Sequence, residues 1–256
     1  MLARINGLDT YYTVEGRGEP VVLLHGWGAS SQSLAPLCEA LADAFRVLAV
    51  DLPGFGWSQD PPAAWGTTEY AGHVERLLQE TGIGRAALVG HSFGGRIAIS
   101  LAARQPALVS RLVLVASAGI RPQRRAGYYV RVAIAKLARR FFSLPGWGAI
   151  GERIIATVSG RLGSRDYRAA GPMRPTLVKV VNEDLTPLLP AIQAPTLILW
   201  GDQDQEVPRS AMETMADRIP RSRLVVFGGA GHFPFLDAPE KFCGMVKAFL
   251  QVGGTA

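Results

Sequence analysis

Apolar and polar positions along the chain alternate between two periods, and the switches between them mark out the elements. Residues 3–15 read as a β-hairpin turning at or near Asn6-Gly7. VVLLHG (21–26) is a continuous apolar run closed by glycine, the pattern of a strand buried on both faces. Leu34, Leu37, Cys38 and Leu41 then recur at helical spacing, predicting a helix over 31–43. VLAVDLPG (47–54) predicts a second buried strand ending in a Pro-Gly turn. Thr67 or Thr68 is placed to cap a helix through Glu80, with Tyr70, Val74, Leu77 and Leu78 inward and Gly82 as its stop. A strand ending at Leu88-Val89 follows, then a helical pattern that begins at Arg96 and stops at Pro106, and LVLVAS (112–117) is the next buried run.

Strand and helix at this spacing imply crossover units and an α/β architecture: a mostly parallel central sheet with helices on both faces. The alternation breaks between Gly119 and Pro190, where no buried-strand run occurs. YYVRVAIAKLARRFF (128–142) is helical by pattern, and five prolines between 172 and 195 read as a return linker. The expectation is a core domain of residues 1–118 and 191–256, with a mostly helical cap, 119–190, inserted into it. The sheet pattern resumes with TLILWG (196–201), a helix over 209–218, LVVFGG (224–229) and a last helix opened by Pro239.

The 256 residues are enough for one sizeable core with an insertion, and no apolar run approaches the length of a membrane span. The opening MLARINGLDTYY holds no apolar segment of signal-peptide length, so a cytoplasmic protein is expected. The two cysteines, Cys38 and Cys243, have neither metal nor redox spacing. The formal net charge of +6 is concentrated: residues 120–170 hold eleven Arg or Lys against Glu152 and Asp166. Three readings of that segment stay open. Its charges are a solvated helix face, or they steer an anionic substrate, or they touch an anionic membrane surface. No recognised nucleic-acid-binding module accompanies them. Oligomeric state has no signature in the chain.

The chemistry centres on LVGHSFGGRIA (88–98). Gly90-His91-Ser92-Phe93-Gly94 follows the G-x-S-x-G pattern and falls between a strand and a helix, where a strained serine exposes its hydroxyl. A serine needs a base, and the base an orienting acid. Of four histidines, His232 lies in a small-residue loop directly after the last strand and is the candidate base. His73 is mid-helix and structural, His91 packs beneath the turn, and His25 shapes the loop it opens. Asp202, Asp204 and Glu206 all follow TLILWG and compete as the acid. Ser117-Ala118-Gly119 leaves no acid after the preceding strand.

HGWG (25–28), DLPGFGWS (51–58), GHSFGG (90–95), GDQDQEVP (201–208) and AGHFPFLDAPE (230–240) together resemble the α/β-hydrolase fold superfamily, and the resemblance covers nearly the whole chain. It implies a serine esterase-like member with a helical cap. The catalytic triad carries over to Ser92, Asp204 and His232, with Asp204 standing three residues before Val207-Pro208 as in D-x-x-V-P. The oxyanion hole carries over to the backbone N–H groups of Trp27 and Phe93, and His25, Gly26, His91 and Phe233 are candidates to line the pocket. The implied activity is carboxylesterase-like acyl transfer on small-molecule esters, with no metal or organic cofactor. Carbon–carbon bond hydrolysis, lactonase or amidase chemistry, and a slow-turnover ligand receptor are the alternatives on the same triad.

Overall fold

The computed structural model describes residues 1–121 and 165–252. β1 (Leu2–Ile5) and β2 (Leu8–Glu15) form the expected hairpin, with Ile5 paired to Leu8. Its turn holds Asn6 at φ 49° and Gly7 at φ 78°, positive at both central residues, which matches the twist of the flanking strands. The other strands are β3 (Pro20–Leu24), β4 (Arg46–Val50), β5 (Ala86–His91), β6 (Val109–Val115), β7 (Thr196–Gly201) and β8 (Ser222–Phe227). Among the described residues these eight form one sheet in the order β1-β2-β4-β3-β5-β6-β7-β8, antiparallel at β1-β2 and β2-β4 and parallel from there on.

The helices are α1 (Ala35–Leu41), α2 (Thr67–Glu80), α3 (Phe93–Arg104), α4 (Arg165–Ala169), α5 (Arg174–Asn182), α6 (Arg209–Arg218), α7 (Pro234–Asp237) and α8 (Pro239–Gln251). Alternation along the buried strands sends Val21, Leu23, Val47, Val89, Val113 and Leu199 to one face, against Leu34, Leu37 and Leu41 near α1 and Phe242, Val246 and Leu250 of α8. The alternate residues, Val22, Leu24, Leu88, Leu112 and Leu114, are equally buried on the face that α3 covers with α2 beside it. Burial on both sides is why these strands read as continuous apolar runs.

Two expectations are corrected. The helix expected over 31–43 is a 3₁₀ turn, Ser31–Leu34, followed by α1, with Pro36 tolerated in the first turn. Residues 171–195 are not an irregular linker. They contain a 3₁₀ turn at Gly171–Met173, α5 and a 3₁₀ helix at Thr186–Ala191. Pro172, Pro175 and Pro187 each occupy a first turn, where the missing N–H forfeits no bond, so three of the five prolines that suggested a linker start helices instead, while Pro190 lies inside the last 3₁₀ helix and Pro195 directly before β7.

The cap of α2 also differs from expectation. The helix starts at Thr67, whose N–H and hydroxyl both donate to the Glu183 carboxylate, the N–H at 3.0 and 3.2 Å. Gly66 N–H is taken by Glu69 Oε2 at 2.9 Å. The cap is thus supplied from a distant segment rather than by a local threonine.

The chain divides into two compact units, Met1–Arg121 with Val178–Ala256, and Pro122–Leu177. In the second unit Arg174 donates to Tyr167 O at 3.3 Å and stacks its guanidinium 5.0 Å over the Tyr167 ring. The helix expected over 128–142 lies outside the described residues.

From β3 the chain steps to β4 on one side, then crosses to β5 on the other. The crevice outside the carboxyl ends of β3 and β5 is therefore a topological switch point, where sites in open α/β sheets gather.

Candidate active site

β5 ends at His91 and α3 begins at Phe93, leaving Ser92 alone at the corner with φ 50° and ψ −108°. A non-glycine residue in that region carries about 1–3 kcal/mol of strain and persists only where its surroundings over-determine it. Here Ser92 N–H donates to Val115 O at 3.0 Å, and Ser92 O accepts from Ala118 at 3.1 Å and Gly95 at 3.1 Å. The neighbouring glycines are steric requirements. A Cβ on Gly94 would lie 2.1 Å from Leu24 O, and one on Gly90 would lie 2.6 Å from Gly94 O. Helix and strand close on each other too tightly for any side chain there.

At the end of β7 the three competing carboxylates separate. Asp202 accepts from Gly229 N–H at 2.8 Å and ties two loops together. Asp204 has a fully buried side chain, and its Oδ2 accepts from His232 Nδ1–H at 2.9 Å. Its Oδ1 accepts from the N–H groups of Glu206 at 2.8 Å and Val207 at 3.0 Å. Burial works against ionisation of Asp204, but the bonds from His232, Val207 and Glu206 outweigh it and hold the carboxyl below the usual carboxylate range. Glu206 turns back to the same imidazole, its Oε2 3.3 Å from His232 Nε2. The polar contacts of the His232 ring among the described residues thus run to Asp204 and Glu206, and none joins it to Ser92 Oγ.

His91 links the corner to the His232 loop. Its Nε2–H donates to His232 O at 3.0 Å, and the two rings lie 4.9 Å apart. That bond leaves Nδ1 as a bare acceptor, without a partner among the described residues. Burial, and then the nearby His232, push the His91 pKa to about 3, so it is neutral and no base. A Cβ on Gly26 would come within 2.8 Å of His91 Nδ1 and 3.5 Å of Ser92 Cβ, so the loop after β3 lies against the serine corner. His25 is also buried and neutral, with a pKa lowered to about 4 by desolvation. It donates from Nδ1 to Gly26 O at 2.7 Å and accepts Leu52 N–H at Nε2 at 3.0 Å. His73, inside α2, bonds Thr10 Oγ1 at 2.9 Å and ties that helix to β2.

The Trp27 ring packs edge-on against Phe55 at 4.9 Å and Phe93 at 5.4 Å. Asp51, from the DLPGFGWS stretch, accepts Ser31 N–H at 2.7 Å and Trp57 N–H at 2.8 Å, fixing the two flanking loops. Phe93 opens α3, so its N–H belongs to the first turn, where no intrahelical carbonyl is available. Phe233, beside His232, is 39 % exposed. Glu206 is recognisable from sequence only as a competing acid, and its contact with His232 is a finding of the structure.

The alpha/beta hydrolase fold family matches residues 19–239. The chain belongs to the α/β-hydrolase family. As an α/β-hydrolase it is 32% identical over 253 residues to a pimeloyl-[acyl-carrier protein] methyl ester esterase from Aeromonas hydrophila, spanning 92% of this chain and 96% of the relative. Among solved structures it resembles a thermophilic esterase from Thermogutta terrifontis, with a TM-score of 0.74, 29% identity and 98% of each chain covered. It also resembles a membrane phospholipase A described as a bacterial virulence factor, with a TM-score of 0.76, 28% identity, and coverage of 100% of this chain and 86% of the other. In this α/β-hydrolase no helix among the described residues is long and apolar enough to cross a membrane.

Proposed function

We propose that this α/β-hydrolase is a serine hydrolase that cleaves carboxylic esters through an acyl-enzyme. The observation that carries the reading is the buried Asp204, held by two backbone donors and bonded at 2.9 Å to His232 Nδ1. That bond fixes the tautomer with Nε2 free to take a proton. Ser92 Oγ attacks the acyl carbon as its proton passes to His232 Nε2. The alcohol leaves with that proton, water adds to the acyl carbon by the reverse route, and the carboxylic acid is released. The backbone N–H groups of Trp27 and Phe93 stabilise the oxyanion. For the first step Nε2 must face Ser92, which requires the 57 % exposed Glu206 side chain to swing aside.

The test is hydrolysis of a p-nitrophenyl ester series, acetyl to palmitoyl, by wild type and Ser92→Ala. Ser92→Ala is expected to lose at least about three orders of magnitude in kcat while folding normally. Near-full activity in that variant refutes the assignment. Labelling of Ser92 by a fluorophosphonate without ester turnover would redirect the search to lactones, amides and carbon–carbon bonds.

A second reading narrows the substrate to a methyl ester on an anionic carrier. It is favoured by the esterase relative and by the eleven Arg or Lys of residues 120–170. Added salt should then depress kcat/KM for an anionic substrate and spare a neutral one.

A further inference from the structure

Two carboxylates bracket the His232 ring. Asp204 is 2.9 Å from Nδ1, and Glu206 is 3.3 Å from Nε2. With the Nδ1 hydrogen given to Asp204, Nε2 presents a bare lone pair. A carboxylate oxygen facing it is a second acceptor. A positive charge or an N–H donor brought beside the Glu206 carboxylate meets an exposed acceptor that carries no cationic partner among the described residues. The Glu206 backbone is anchored by the bond from its own N–H to Asp204 Oδ1 at 2.8 Å, while its 57 % exposed carboxylate can swing from Nε2 to the solvent side of the ring. His91 and His25, packed around the same loops, are neutral through burial and do not offset the two negative charges.

In an acyl transfer at Ser92, Nε2 is the atom that hands the proton to the departing alcohol oxygen. A carboxylate that swings from Nε2 only as far as the rim of the ring stays on the side from which the alcohol departs. We propose that Glu206 is a specificity-determining residue. It favours esters whose alcohol carries a positive charge or an N–H donor and disfavours anionic alcohols. The proposal rests on the serine-hydrolase reading of the same site.

Butyrylcholine and 3,3-dimethylbutyl butyrate test it. They share one shape, and the second replaces the quaternary nitrogen by carbon. The quantity read is the ratio of kcat/KM for the charged ester to that for the neutral one, at low ionic strength, in wild type, Glu206→Gln and Glu206→Lys. The ratio cancels any change that a substitution makes to His232 itself. The expected wild-type ratio is about five, from one partly solvated charge some 5 Å away, and added salt should compress it. It should fall to about one in Glu206→Gln and below one in Glu206→Lys. An equal ratio in all three proteins, with neutral-ester hydrolysis abolished in Ser92→Ala, overturns the role of Glu206 and leaves the hydrolase reading standing. Neutral-ester hydrolysis that survives Ser92→Ala overturns that reading and this proposal with it.

Discussion

Replacing Asp204 by asparagine changes one atom in a buried site, and the structure dictates the consequence. Both backbone donors, Glu206 N–H and Val207 N–H, converge on Oδ1, so the amide oxygen takes that place. The amide NH₂ then falls where Oδ2 stood, 2.9 Å from His232 Nδ1. Two donors cannot face each other there. The imidazole responds by moving its hydrogen to Nε2 and accepting at Nδ1, so the atom that should take the serine proton is already protonated. Fold and site shape are preserved and the base is in the wrong tautomer, a defect worth about 10⁴ in kcat, or roughly 5.5 kcal/mol of barrier. Asp202→Asn is the matched control. The Asp202 oxygen that accepts Gly229 N–H at 2.8 Å has an equivalent in the amide, and the change should stay within about threefold. Initial rates on p-nitrophenyl butyrate, with thermal melts to confirm folding, give both numbers. An Asp204→Asn enzyme retaining more than about a tenth of wild-type kcat would falsify this account of the acid, as would a larger loss in Asp202→Asn.

Gly94→Ala would set a Cβ 2.1 Å from Leu24 O and 2.5 Å from Leu24 C, so α3 must lift from the end of β3. A cost of about 3 kcal/mol, or a Tm lower by about 6–12 °C, is expected by thermal melt, and an unchanged Tm would contradict the close approach. Acid should destabilise the fold well before the carboxylates titrate. Burial lowers the pKa of His25 and His73 from 6.5 to about 4 and that of His91 to about 3. All three are neutral in both states above about pH 6.5, where they contribute no pH dependence. Below it the unfolded chain takes up protons that the native state refuses, and each histidine removes about 1.4 kcal/mol per pH unit until its native pKa is reached. Urea midpoints should fall from pH 6.5 toward pH 4 and fall less steeply in His73→Gln; a flat profile between pH 6.5 and 5 would show that these rings are not held neutral.

What could be read in the sequence followed from locality. The turn at Asn6-Gly7 needs positive φ at adjacent positions, and few residue pairs supply it, so the hairpin was visible in two letters. β7 and α6 came out at their expected bounds because an apolar run and a helical stripe were each cut off sharply, by Asp202 and by Ile219-Pro220. The corner at Ser92 was legible because its glycines are demanded by backbone, which no other residue can satisfy. The features that escaped are held together over long separations. The cap of α2 comes from Glu183, and Arg96, buried on α3, donates to the Glu183 carbonyl at 3.3 Å. A threonine pair before a helix looked self-sufficient, and nothing nearby announced that a glutamate far downstream would take both donors. In the site, D-x-x-V-P pointed to Asp204, and in the structure the two donors that fix its carboxylate are the backbone N–H groups of Glu206 and Val207, within the same motif. Glu206 lies in that motif too, but its turn toward His232 is a side-chain conformation with no periodicity to betray it.

The bond from Leu185 N–H to Gly119 O, at 2.9 Å, fastens the strand of chain that leaves β6 to the one that returns toward β7. Ala118, one residue before it, also holds the carbonyl of Ser92. For protein engineering this clasp is the natural splice point. A foreign segment grafted between residues 119 and 185 would inherit a closed root and leave the support of the serine corner untouched. The same graft would discard Glu183, so the donor module must bring its own carboxylate to the head of α2, or the recipient must be given a local cap. Exchangeability of the inserted segment is therefore limited by a helix that the segment does not contain.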